Sequence, residues 1–121
     1  MSEDRDRRTL AYMRERIEHI HRALREDPLA LTEEGRTAGE AILWNLMALT
    51  DSSARLSDQL KKRHPEIQWE QVRGFRNVAT HAYDRIQLKQ VTNVVANDLP
   101  VMRRAIDIEL GPRDRGIEQE R

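Results

Sequence analysis

Arg76, Asn77, His81 and Tyr83 lie within one short run and carry a guanidinium, an amide, an imidazole and a phenol. At about 100° per residue, a helix puts Asn77 and His81, four apart, on one face, while Arg76 and Tyr83, seven apart, nearly eclipse. The two rows run side by side, and small Ala79 and Ala82 leave room beside them. Such a strip is equipped for phosphodiester chemistry without a metal. A histidine of near-neutral pKa can move the proton of a ribose 2′-OH. An arginine fork can grip phosphate oxygens and stabilise the charge that develops on them. One histidine does not easily serve as both acid and base in a single turnover, whereas two copies facing a shared cleft in a symmetric dimer divide the roles. The plainer reading of the same residue types stays open: a lone His near a helix end often caps it, and a lone Arg often packs its stem.

The spacing of apolar residues predicts the elements that must hold this strip. Leu10, Met13, Ile17, Ile20 and Leu24 step by three and four, a single stripe on a helix from about Asp4 to Arg25 that Asp27-Pro28 ends. A second helix is predicted from near Thr32–Thr37 to just before Pro65, with Ala38, Ile42, Leu46, Leu49, Ser53, Leu56 and Leu60 in register; Gly35 and Gly39 blur its start. The third opens near Gln68 and runs through Trp69, Val72 and Phe75 towards Tyr83, so it carries the strip. Gly74 inside it costs about 1 kcal/mol relative to Ala and points either to close approach by another backbone or to a kink. The fourth spans about Leu88 to Leu110, with Leu88, Val91, Val95, Leu99, Met102 and Ile106 on one side, and a kink is expected where Pro100 clashes with the carbonyl of Ala96. The expected fold is all-α, an antiparallel bundle of four main helices over residues 1–110, followed by a charged, frayed tail over 111–121.

Composition supports this class. Charged residues make up 35% of the 121 and aromatics only 4%, with five Gly and four Pro, which favours long amphipathic helices over a sheet. The core is then thin and aliphatic, and pairing with a second copy would stabilise it. Without cysteine there is no disulfide, thiolate metal site or cysteine nucleophile. The stretch Met1–Arg8 is polar and no apolar run nears the roughly 20 residues of a membrane span, so a cytoplasmic protein is expected. Lys and Arg balance Asp and Glu at 21 each, which argues against a general nucleic-acid coat. Residues 55–85 nonetheless hold seven basic residues against four acids.

Arg-Asn, three residues, His, one residue, Tyr on the third long helix resembles the signature of HepT-like proteins of the HEPN superfamily. The flanks His64-Pro65-Glu66-Ile67-Gln68-Trp69 and Asn97-Asp98-Leu99-Pro100 agree, and the likeness covers about residues 5–108. The resemblance implies the toxin of a prokaryotic toxin–antitoxin pair: a homodimeric, metal-independent endoribonuclease needing no cofactor. Arg76 would bind the scissile phosphate, His81 would transfer protons and Asn77 would orient the pair. The implied partner is a minimal (MNT-type) nucleotidyltransferase antitoxin that silences the toxin by AMPylating Tyr83. Where many relatives carry Gly-Glu-Ala in the second helix, this chain has Thr50-Asp51-Ser52, so Asp51 would be a shorter acid supporting the site.

Two other readings compete: a non-catalytic subunit that docks a nucleotidyltransferase or binds nucleotide, and a purely structural bundle. The remaining constellations are weak. Glu18-x-x-His21 is half of a di-iron bundle site and lacks its second half. His19 and His21 point to different sides of a helix and make a poor zinc pair. His64 before Pro65 reads as a loop residue, Trp44 and Trp69 read as core or interface anchors, and no Ser or Thr has a paired base.

Overall fold

A computed structural model describes residues 2–28, 30, 36–81 and 88–111. Among these residues there are helices and turns and no strand: the chain is all-α. Helix α1 is Ser2–Glu26, α2 is Arg36–Ser53, α3 is Asp58–Arg63, α4 is Trp69–His81, α5 is Leu88–Asn93 and α6 is Leu99–Leu110. The apolar stripes meet as their periodicity predicts. Leu10, Met13, Ile17 and Ile20 of α1 are buried against Ile42, Leu46 and Leu49 of α2, with Leu99, Met102 and Ile106 of α6 closing the core. Each such aliphatic side chain contributes about 1.5–3 kcal/mol on burial. Helices α1 and α2 share the broadest interface; α6 rests on α1 and α4 on α2. No helix among the described residues is long and apolar enough to cross a membrane.

Backbone and charge fix the ends of this core. Asp27 N–H still reaches the Ala23 carbonyl (2.9 Å), and the turn then carries Ala30 across the start of α2. A Cβ on Gly39 would stand 2.5 Å from the Ala30 carbonyl oxygen, so this crossing requires glycine. At the other end Gly111, at φ 85°, stops α6 and donates its N–H to Asp107 O. The buried Arg14 of α1 ties that end down by donating to Asp107 Oδ1 (3.0 Å) and to Gly111 O (2.7 Å).

The predicted second helix is two helices. Helix α2 stops at Ser53, and Ala54, Arg55 and Leu56 donate to the carbonyls three residues back, a tight turn. Ser57 then caps α3 by accepting from Leu60 N–H, and Asp6 of α1 accepts from both Ser57 N–H (2.9 Å) and Ser57 Oγ (2.5 Å). Leu56 and Leu60 remain buried through the break, which is why apolar spacing alone does not reveal it.

The predicted kink at Pro100 takes a specific form. Residues Val94–Asp98 make a π-helical turn joining α5 to α6, and Leu99 N–H bonds the carbonyl of Val94, five back. The wider turn accommodates a residue that has no N–H of its own to give. At Gly74 helix α4 runs on without interruption, and a Cβ there would meet nothing within 4 Å, so no backbone of this chain's described residues approaches it. The expected tail from 112 onward lies outside the described residues.

Candidate nucleic-acid site

Helix α4 begins at Trp69, whose indole Nε1 donates to the carbonyls of Lys61 and His64, each at 3.1 Å. Lys61 Nζ lies 5.8 Å from the centre of the same ring. This anchor fixes the rotation of α4 against α3, and hence the direction of everything that follows along it. Val72 and Phe75 are half-buried and Ala79 is buried against the core, so Arg73, Gly74, Asn77 and Val78 face outward.

Arg76 sits on the boundary between these sides. Its side chain is 36% exposed and its Nε donates to Asp51 Oδ1 at 3.1 Å. Arg55 holds the other carboxylate oxygen, Oδ2, at 2.7 Å. The hydrogen bond from Arg76, followed by that from Arg55, outweighs burial and keeps the Asp51 carboxyl below its ordinary range. Asp51 is therefore ionised at neutral pH and shared between two guanidiniums on the last turn of α2. The residue read from sequence as a supporting acid lies beside the arginine it was expected to support.

Asn77 follows Arg76 on the exposed side. His81 is the last residue of α4 and stands four residues after Asn77 and seven after Gly74, on the same face of the helix by register. Its side chain and residues 82–87, Tyr83 included, lie outside the described part of the structure. The expected juxtaposition of His81 and Tyr83 with Arg76 thus rests on their positions along the chain.

Arg76 also forms one wall of a groove of about 370 Å³ between the end of α2, α3 and the first two turns of α4. Thr50, Ser53 and Ala54 line it from α2, Asp58 and Lys61 from α3 or its start, and Trp69, Glu70 and Arg73 from α4. Arg73 pairs with Glu70 one turn away. Lys61, Arg73 and Arg76 face two carboxylates, Asp58 and Glu70, among the lining side chains, an excess of one positive charge.

Sequence reasoning missed His64. It is 4% exposed, and its Nδ1 and Nε2 lie 3.0 Å from Glu66 and 2.5 Å from Glu109. Glu109 also accepts twice from Arg63 (3.2 and 2.8 Å). Burial pushes the His64 imidazole down, but its two carboxylate partners outweigh this and its pKa is raised. Hydrogen bonds from Arg63, and then from His64, lower Glu109 to about 2 against the opposing effect of burial. The Pro65 that follows marks a loop, and nothing in the local sequence shows that α6 supplies a partner.

Other sequence candidates separate from the site. Arg103 lies 3.8 Å from Glu18, so the carboxylate of that half-site already faces a cation. Burial, then Arg103 and Arg25, lower the His21 pKa. His19 stands beside Glu15 at 3.8 Å. Among the described residues no group of three or more His, Asp or Glu side chains is placed to hold a metal. Trp69 is the anchor of α4, whereas Trp44 is 59% exposed and takes no part in the core.

The profile of the family described as Ribonuclease HepT-like matches residues 13–108. A protein of Methanocaldococcus jannaschii named as a candidate RNase is 22% identical over 68 residues, 56% of this chain and 62% of that protein. A protein of Thermococcus cleftensis named as a candidate ribonuclease HepT is 25% identical over 63 residues, 52% of this chain and 57% of that one. The chain thus spans less than two-thirds of the length of these curated relatives. No solved structure gives a significant match. The family match extends from the middle of α1 almost to the end of α6 and takes in Asp51, Arg76 and His81, and on it this chain belongs to the HepT-like ribonuclease family.

Proposed function

We propose that the protein is a metal-independent endoribonuclease of the toxin type, acting as a homodimer and controlled by a nucleotidyltransferase partner. The observation that carries the reading is Arg76, oriented by Asp51 at the edge of an open groove, on the helix that also bears Asn77 and His81. In the proposed reaction His81 of one copy takes the proton of the ribose 2′-OH as O2′ bonds to phosphorus. Arg76 neutralises the charge growing on the non-bridging oxygens. The bond from phosphorus to the 5′ oxygen breaks, and His81 of the other copy protonates that leaving oxygen. The products are a 2′,3′-cyclic phosphate end and a 5′-hydroxyl end.

Gly74 supports the two-copy arrangement. An exposed glycine inside a helix costs about 1 kcal/mol relative to alanine, and here it opens onto empty space on the face that register shares with His81. Close approach by a second α4 is a use for it that this chain alone does not supply. Control would follow from transfer of AMP to Tyr83: the phenol oxygen attacks the α-phosphate of ATP held by the partner and pyrophosphate leaves. The bulky anion would occupy the phosphate position beside Arg76. The balance of charge, with Arg76 and Arg55 both engaged by Asp51, favours the alternative of a docking subunit without catalysis.

RNA cleavage in the presence of EDTA separates the two. The ribonuclease reading expects EDTA-resistant cleavage that His81→Ala removes and cyclic-phosphate ends on the products. Binding of the nucleotidyltransferase with no cleavage at any concentration would leave the docking subunit. Intact mass after co-expression with that partner tests the modification, with added AMP expected in the wild type and absent in Tyr83→Phe.

A further inference from the structure

We propose that the groove between α3 and the start of α4 is a second substrate subsite, in which Lys61 and Arg73 hold the phosphate next to the scissile one on a single-stranded RNA. This rests on the ribonuclease reading and says where the strand runs. Arg73 and Arg76 are three residues apart on α4, so they are neighbours on its surface, about 5–6 Å between Cβ atoms, and both line the groove. That spacing suits neighbouring phosphates of an extended strand. Lys61 faces them from α3 across the same groove. Its ammonium lies over the Trp69 ring, 5.8 Å from the ring centre, a contact that gives it a defined place instead of leaving it free to sweep through solvent. The Arg73 side chain is 63% exposed, and its partner Glu70 is 83% exposed, so a phosphate can take the guanidinium at little cost.

The groove is also the right size and the right mixture. About 370 Å³ holds one nucleotide unit, and Ala54 and the Trp69 edge supply apolar wall for sugar or base. Asp58 and Glu70 on the rim repel a bulk polyanion but accept hydrogen bonds from the amino groups of an unpaired base. In an A-form RNA duplex the amino groups of adenine and cytosine are turned into a deep, narrow major groove that side chains do not reach. The groove therefore selects single strands, and with only Lys61, Arg73 and Arg76 meeting phosphates the salt dependence is shallow. With two phosphates held, at about −0.7 per phosphate for single strands, the slope of log K against log salt is about −1.4.

The test uses full-length protein and a fluorescein-labelled 12-nucleotide single-stranded RNA. Binding is measured by anisotropy in a His81→Ala background so that the RNA stays intact. Lys61→Gln and Arg73→Gln are each expected to weaken binding roughly tenfold and to flatten the salt slope by about 0.7, whereas Arg22→Gln, exposed towards the opposite end of α1, leaves both as they were. Cleavage by chains with His81 intact is then compared between the 12-mer and a dinucleoside monophosphate, which has no second phosphate. The loss is expected mainly in KM and several-fold greater for the 12-mer. If the wild type cuts RNA and the two variants bind and cut the 12-mer as it does, or lose equally on both substrates, the subsite is overturned and the ribonuclease reading stands. If the wild type neither binds nor cuts RNA, both fall.

Discussion

Asp51 divides its two oxygens between Arg76 and Arg55, and that geometry sets what each side chain contributes. The pair with Arg76 is roughly half exposed, so its direct worth to stability is small, under about 1 kcal/mol. Its use is to hold the guanidinium in one orientation. Asp51→Asn is accordingly expected to leave the melting temperature within a few degrees of wild type while lowering kcat about tenfold, read by thermal denaturation and RNA cleavage on the same preparation. Arg76→Ala removes the positive group proposed to face the developing charge and should cost about 100- to 1,000-fold in kcat, with Arg76→Lys recovering only part because one ammonium does not replace a fork. A similar loss in melting temperature and activity for Arg76→Ala would instead identify a structural arginine.

At the scale of the elements, two glycines make opposite predictions. Gly39 lies where the loop carbonyl of Ala30 crosses α2, and a methyl group there stands 2.5 Å from a backbone oxygen that has no rotamer to escape into. Gly39→Ala should therefore destabilise by about 1–3 kcal/mol in denaturant unfolding, despite alanine's better helix propensity. Gly74 has open space around it, so Gly74→Ala adds propensity without a clash within the chain. Under dilute, monomeric conditions it should stabilise by about 0.5–1 kcal/mol. The larger Gly74→Arg should shift the sedimentation profile from dimer to monomer with helix content retained, because its side chain occupies the face proposed for the second copy. The Ser57 cap, by contrast, draws on Asp6 of another helix, which is why the break after Ser53 belongs to tertiary structure as much as to local propensity.

For the molecule as a whole, the cluster of Arg63, His64, Glu66 and Glu109 joins the α3–α4 loop to α6 and makes stability depend on pH. The pKa of His64 is raised above 6.5 in the folded chain, so its contribution is complete below 6.5 and is lost as pH rises through the folded value. Glu109 is lowered from 4.5 to about 2, so its contribution is complete above 4.5 and is lost as pH falls towards 2. The cluster stabilises most between 4.5 and 6.5. The gap in melting temperature between wild type and His64→Gln should be widest near pH 5–6 and narrow on the alkaline side. A gap of constant width from pH 5 to 9 would show that His64 acts by packing and neutral hydrogen bonds alone.

The stripes Leu10–Met13–Ile17–Ile20 and Leu99–Met102–Ile106 were legible in the sequence because helical periodicity is local, and burial follows it wherever two stripes can meet. The placement of Arg76, Asn77 and His81 on one helix was legible for the same reason, as was the family, whose motif is a spacing along a single element. What the sequence could not contain is the set of pairings between distant elements. Arg76 finds Asp51 across 25 residues, His64 finds Glu109 across 45 and Ser57 finds Asp6 across 51. Each depends on the angle and rotation at which two helices cross, which the whole packed core decides, and each charged side chain had several partners open to it before that core formed. The sequence by itself determined which faces are apolar and which residues share a helix. Only the tertiary structure decided which acid restrains the arginine, which helix ends at Ser53, and that a histidine beside a proline is buried between two carboxylates.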